Sequence, residues 1–187
     1  MIEQLNSVIK DTEATMAKAV DHLSSELAKI RAGKANPSML DSVFVDYYGT
    51  STALAQIGNI STPDPRSLVI QPWEKPLLGA IEKAIVNANL GFTPQNDGNI
   101  IRINIPPLTE ERRNQLVKMS KQEAEQGKVA IRNIRKDMME SIKKLVKDGL
   151  AEDEGKNGET KVQEQTDKYI RKIDEILVAK EKEIMTV

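Results

Sequence analysis

The chain is 187 residues long, enough for one or two small domains with a core that needs no covalent staples. With 3% aromatic and 29% charged residues, aliphatic side chains must supply that core, and the large polar surface suits elongated helices better than a compact globule. The lack of cysteine excludes disulfides, thiolate nucleophiles and cysteine metal sites and fits a reducing cytoplasm, while a net charge of −1 gives no overall attraction to a polyanion.

The opening MIEQLNSVIKDTEATM has neither the apolar core of a signal peptide nor the acid-poor, arginine-rich character of a transit peptide. No apolar run approaches the length of about 20 residues needed to span a membrane. Ile2, Ile9, Met16, Leu23 and Ile30 recur every seven residues, joined by Leu5, Val20 and Leu27, which predicts a bundle or coiled-coil helix over 2–30. Gly33 is a natural helix stop and Pro37 biases Asn36 away from the helical region, so residues 31–37 read as a linker.

From about 42 to 105 the pattern changes. Residues 43–48, 67–71 and 100–105 are short β-branched or aromatic runs bounded by Gly, Pro, Asn and Asp, which predicts strands. Between the last two, Leu78, Ile81, Ala84, Ile85 and Ala88 predict a helix within 75–89. Tyr47 and Tyr48 alternate across a strand, so one points inward and one outward, and Trp73, the lone tryptophan, reads most simply as a packing residue.

After Pro106 and Pro107 the helical period returns. Thr109, followed by Glu110 and Glu111, reads as the N-cap of a long helix reaching Gly149. Residues 152–159, acidic and glycine-containing, read as an exposed turn, and a third helix over 160–185 carries Val162, Tyr169, Ile173, Ile176, Leu177 and Ile184 on one side. The predicted fold is α+β: an elongated three-helix bundle of residues 1–30 and 107–187, with a small β/α/β domain, residues 31–106, inserted between its first and second helices. The chain crosses between the two at 31–37 and 105–107; the Gly and Pro there either form a hinge or merely turn corners.

The long helix carries the main functional signal. At about 100° per residue, Lys118, Lys121, Lys128, Arg132, Arg135, Lys136, Lys143 and Lys147 fall within about 60° of one line. Leu116, Ala124, Ile131, Ile134, Met138, Ile142 and Leu145 occupy a second sector, and Glu123, Asp137, Glu140 and Asp148 a third. Such a stripe suits a polyanion such as RNA, and it equally suits a solvated helix face. Glu125 interrupts it and is placed to pair with Lys121 or Lys128.

Catalytic signals are missing. His22, the single histidine, lies among Asp21, Ser24 and Glu26 with no partner indicated, which favours a solvated or bundle-edge position. No phosphate-cradling GxxxxGK[ST] or GxGxxG and no HExxH occurs, so no catalytic residue, metal site or cofactor is expected and the chain does not read as an enzyme.

Several strings nevertheless recur together: KIRAGKANP at 29–37, YYGT at 47–50, EKAI at 82–85, the NDG turn at 96–98 with IRI at 101–103, PPLTEERR at 106–113 and VAIRNIRK at 129–136. In this order, over essentially the whole chain, they closely resemble the bacterial ribosome recycling factor family. That resemblance implies an L-shaped molecule, tRNA-like in outline, that is itself non-catalytic. It implies action with elongation factor G and GTP to split the post-termination ribosomal complex into subunits. The implied partners are large-subunit rRNA, elongation factor G and a small-subunit protein met through the inserted domain, for a cytoplasmic monomer that binds no membrane. Carried over by motif, rRNA contact falls to Arg132 and Arg135, with Arg113 and Lys136 as neighbours and Lys121 and Lys128 along the same stripe. The hinge role falls to Arg31, Gly33, Lys34, Pro37, Pro106 and Pro107. Lys34 stands where the family often has arginine, which keeps the charge and loses the planar fork. The residues by themselves leave two other classes open: a helical scaffold or chaperone that binds protein, and an RNA-processing enzyme.

Overall fold

The computed structural model describes residues 1–186. The chain divides into two compact units, residues 1–31 with 111–186, and residues 32–110. The first consists of three long helices, α1 (Ile2–Lys29), α4 (Glu110–Lys147) and α5 (Glu152–Thr186). Each is amphipathic, and none could hold its apolar stripe in water alone; the stripes form one shared seam. On α1 the seam comprises Leu5, Thr12, Met16, Val20, Leu23 and Leu27, on α4 Leu116, Ser120, Ala124, Gly127, Ile131 and Ile142, and on α5 Val162, Thr166, Tyr169, Ile173 and Ile184. Leu23 and Ile173 both abut Gly127, while Leu5 and Ile142 both abut Gly158, so α1 and α5 run parallel and α4 antiparallel to them.

The heptad pattern locates the α1 face apart from its first member, since Ile2, the first residue of the helix, is 58% exposed. Polar Thr12, Ser120 and Thr166 are fully buried in the seam instead. Each hydroxyl donates to the carbonyl one turn back, Thr12 to Val8 at 2.7 Å, Ser120 to Leu116 at 2.9 Å and Thr166 to Val162 at 2.8 Å, so burial leaves no donor unpaired.

Residues 152–159, expected as an exposed turn, are the first two turns of α5. Glu152, Asp153 and Glu154 lie in its first turn, where the helix dipole favours carboxylates. The glycines that suggested a turn are packing residues: both Gly155 and Gly158 are buried. A Cβ on Gly155 would collide with Val146, and one on Gly158 would lie 2.7 Å from Leu5 Cδ1 and 3.3 Å from Ile142 Cδ1. The true connection is residues 148–151. There Leu150 N–H donates to the Leu145 carbonyl and Gly149 N–H to that of Val146, closing α4 with a Schellman cap around Gly149 at φ 115°.

The second unit holds a two-stranded hairpin, β1 (Phe44–Tyr47) and β2 (Thr50–Ala53), a one-turn helix α2 (Leu54–Ile57), and an antiparallel sheet of β3 (Gly58–Asp64), β4 (Ser67–Pro72), β5 (Pro94–Asn96) and β6 (Ile101–Asn104) in the order β3-β4-β6-β5. Helix α3 (Leu78–Asn87) links β4 to β5. Leu68, Ile70, Ile101 and Ile103 of the central strands pack with Ile81 and Ile85 of α3 and with Leu40, Val45 and Leu54. The three predicted strands are β1, β4 and β6. Three strands are unforeseen: β2 is the polar second arm of the hairpin, and β3 and β5 are the sheet edges, where Pro63 and Pro94 are tolerated and no apolar run is needed. Tyr48 and Gly49, at φ 49° and 84°, form the two-residue hairpin loop, which leaves Tyr47 half-buried and Tyr48 82% exposed. Trp73, expected to pack, is 67% exposed: it follows the last residue of β4 and extends beyond the sheet's covered face.

Gly158→Val should destabilise the bundle by about 1–3 kcal/mol through overpacking. Gly79→Ala, on α3 with open space around the new methyl, should stabilise the second unit by up to about 1 kcal/mol. Urea unfolding checks both, followed by helical dichroism for the first and by Trp73 emission for the second.

Candidate nucleic-acid interface

All eight basic residues of the predicted stripe lie on α4, an uninterrupted helix, so their angular order holds along its length. Lys118, Lys121, Arg132, Lys136, Lys143 and Lys147 are exposed, and Lys128 and Arg135 are half-buried. The packing against α5 divides this stripe. Lys128 Nζ lies 2.6 Å from Asp174 Oδ1 with its side chain only 21% exposed, and Lys121 Nζ lies 3.9 Å from Glu181 Oε1. The two lysines are seven residues apart and so are the two acids, which brings them into register across the antiparallel pair. These two lysines are engaged by α5.

Glu125 pairs with neither of the lysines expected of it. Its Oε1 accepts from Arg132 Nη1 at 3.2 Å, two turns further along. With Lys121 and Lys128 drawn toward Asp174 and Glu181, the long arginine on nearly the same line as Glu125 is the cation in reach. Among the described residues of the stripe, Lys118, Arg135, Lys136, Lys143 and Lys147 form no ion pair. The unpaired part of the edge is therefore Lys118 at one end and the run from Arg135 and Lys136 to Lys143 and Lys147 at the other, with Arg132 between them held by the exposed Glu125.

Arg113 is placed differently. It is half-buried, and its Nη1 donates to the Met185 carbonyl at 3.0 Å, satisfying a carbonyl in the last turn of α5 with a cation where the dipole favours one. The residues missed in the sequence are Asp174, Glu181 and Glu125 in its Arg132 pairing. The shared heptad spacing of 121/128 and 174/181 was the available signal.

The crossing segments are tied into the second unit at one turn. Ala35 N–H donates to the Pro65 carbonyl at 2.8 Å and Ile105 N–H to that of Arg66 at 2.7 Å. Asn36 Oδ1 accepts from Ser38 N–H at 2.9 Å and caps a 3-10 turn (Pro37–Leu40) that begins with Pro37. Gly33 has φ 78°, and a Cβ there would stand 2.8 Å from Leu108 Cγ, so glycine is required twice over. Arg31, Lys34, Pro106 and Pro107 are exposed. His22 is exposed on α1 beside Leu23 and Gly127. Among the described residues no group of three or more His, Cys, Asp or Glu could hold a metal ion, and no helix is long and apolar enough to cross a membrane.

An elongated bundle with a cationic helix edge and an inserted β unit defines a two-unit protein suited to a large, structured polyanion. The sequence model of the ribosome recycling factor family matches residues 23–185. The ribosome-recycling factor of Cytophaga hutchinsonii is 53% identical over 186 residues, with 100% of both chains covered, and that of Flavobacterium johnsoniae is 54% identical over 187 residues with the same coverage. A solution structure of a ribosome recycling factor superposes with a TM-score of 0.70 at 41% identity, covering 100% of both chains. A second structure, of the T. thermophilus factor bound with E. coli elongation factor G to the E. coli post-termination complex, gives 0.58 at 46% identity over 96% of this chain and 98% of that one. The chain belongs to the ribosome recycling factor family.

The division of the stripe is testable on stability alone. Lys128→Ala should weaken the bundle by up to about 1 kcal/mol and Lys121→Ala by about half that, whereas Arg132→Ala and Lys136→Ala should stay within about 0.5 kcal/mol of the parent. Thermal unfolding of the four variants reads this directly.

Proposed function

We propose that the protein is a translation factor that, with elongation factor G and GTP, splits the post-termination ribosomal complex into subunits, and that it does so as a cytoplasmic, non-catalytic monomer. Membership of the ribosome recycling factor family supports the activity, and the open basic edge of α4 is the observation that carries the mode of binding. Guanidinium groups take phosphate oxygens two at a time, and a line of them along a straight helix follows a nucleic-acid backbone. In this reading Arg132, Arg135 and Lys136 contact large-subunit rRNA directly. Lys121 and Lys128 act mainly by holding α5 in place, and Arg113 by fixing the end of that helix. The energy for splitting comes from the nucleotide on the partner, in keeping with a sequence that has no phosphate loop.

Residues 1–30 with 107–187 are the rRNA-binding domain in this proposal, and residues 31–106 are the domain turned toward elongation factor G and the small subunit. Segments 31–37 and 105–107 form the hinge. Ala35 and Ile105 are anchored to the Pro65–Arg66 turn, so the bending falls on Arg31 to Lys34 and on Pro106 and Pro107. Gly33 at positive φ gives the first segment its freedom.

The test is splitting of post-termination ribosomes, followed by light scattering, with wild type and an Arg132→Glu, Arg135→Glu double variant. Wild type should split ribosomes only when elongation factor G and GTP are present. The folded variant should fail, and its residual ribosome binding should show a salt slope flatter by about one unit per lost phosphate contact. Glu125→Gln releases Arg132 and should tighten binding at low salt. A wild-type protein that neither binds nor splits ribosomes beside an active partner factor would overturn the assignment.

A further inference from the structure

At one end of the second unit, aromatic side chains that would ordinarily be buried stand around a carboxylate. The Tyr47 hydroxyl donates to Glu74 Oε1 at 3.2 Å, and the Tyr48 hydroxyl to Glu74 Oε2 at 3.1 Å. The two rings meet edge to face with centroids 4.6 Å apart. Beside them opens a notch of about 190 Å³ whose walls include Tyr47, Trp73 and Glu74 together with Gln56 and the apolar Ile57 and Leu77, while Tyr48 holds the carboxylate from outside it. Two hydroxyls thus orient the carboxylate, yet each of its oxygens has further acceptor capacity. Glu74 is negatively charged and close enough to matter. It raises the pKa of Tyr47 chiefly through its charge and that of Tyr48 chiefly through the hydrogen bond to its carboxylate.

Exposed tyrosine and tryptophan in one cluster are the composition of binding hot spots, because they offer large rigid contact area. The charge at the centre sets the chemistry. A carboxylate repels a phosphate backbone, so the notch does not suit the nucleic acid that the α4 edge suits. A cation is attracted by the carboxylate oxygens, and the aromatic lining adds a surface on which a delocalised cation can rest. Planar guanidinium suits that combination best, since it can fork onto a carboxylate while lying against a ring.

The geometry points to a receptor for an arginine side chain presented by a protein partner, formed by Tyr47, Tyr48, Trp73 and Glu74 and separate from the basic edge of α4. It stands whether or not the ribosomal reading does, because it concerns only the isolated protein.

Trp73 is the chain's only tryptophan, so its emission reports from the notch. The experiment titrates the full-length protein with N-acetylarginine amide at constant ionic strength, with N-acetylcitrulline amide as the neutral isostere and a uridine oligonucleotide as the nucleic-acid probe. The expected result is a saturable change with arginine and none with citrulline. Glu74→Gln, an exposed position whose fold is verified by circular dichroism, should weaken the arginine response at least about tenfold. No saturable response to arginine, an equal response to citrulline, an undiminished response in Glu74→Gln, or tighter binding of the oligonucleotide at Trp73 would each overturn the proposal.

Discussion

Leu23, Gly127 and Ile173 meet at one level of the bundle, and the fold of this protein depends on such three-way contacts between helices from both ends of the chain. Helix α1 cannot bury Met16 or Leu23 by itself, and its partners lie beyond residue 110. The intervening residues must therefore leave the bundle and return, which explains why the second unit is an insertion with two crossings. Small residues at 127, 155 and 158 let the helices approach, and that close approach determines which face of α4 is covered.

The covered face in turn decides which cations are open. Because α5 lies against one margin of the stripe, Asp174 and Glu181 engage the lysines nearest the seam, and those beyond their reach carry their charge to solvent. An acidic helix beside a basic one therefore does two things. It adds interhelical pairs of modest strength, and it leaves Lys118, Arg135, Lys136, Lys143 and Lys147 as the stripe cations with no carboxylate partner. A net charge of −1 is compatible with this, since attraction to a polyanion depends on local potential within about a Debye length, about 8 Å at physiological salt, and not on the sum over the chain.

The helical faces of α1 and α4 are readable in the sequence because burial repeats with the helical period, β4 because Leu68, Val69 and Ile70 form an apolar run, and β6 because buried Ile101 and Ile103 alternate with exposed Arg102 and Asn104. The edges β3 and β5 carry prolines and polar residues precluded from a sheet interior, so they resemble loops until a neighbour supplies their hydrogen bonds. The start of α5 resembles a turn for a similar reason. Gly155 and Gly158 signal a turn by local propensity, and only the proximity of Val146, Leu5 and Ile142 shows that they are there for closeness. The stripe could be drawn from angles alone. Its division is written only in the matched seven-residue spacing of 121/128 and 174/181, which carries meaning once α4 and α5 pack antiparallel, and the exposure of Trp73 has no such signal.

The two candidate surfaces differ in sign, and that difference bears on how one chain could address a mixed assembly of RNA and protein. The α4 edge is a long line of cations, a pattern suited to phosphates and tolerant of exact placement because its attraction is long-ranged. The Glu74 notch is small and aromatic, and demands one side chain at one position. A charged line confers fast approach and salt-sensitive holding, whereas a notch confers selectivity for a partner that displays the right residue. With the signs reversed between them, each surface disfavours the ligand of the other. Phosphate is repelled by Glu74, and an arginine-bearing partner is repelled by Arg135 and Lys136. Two units joined by short crossings could thus engage an RNA and a protein without either binding in the wrong place.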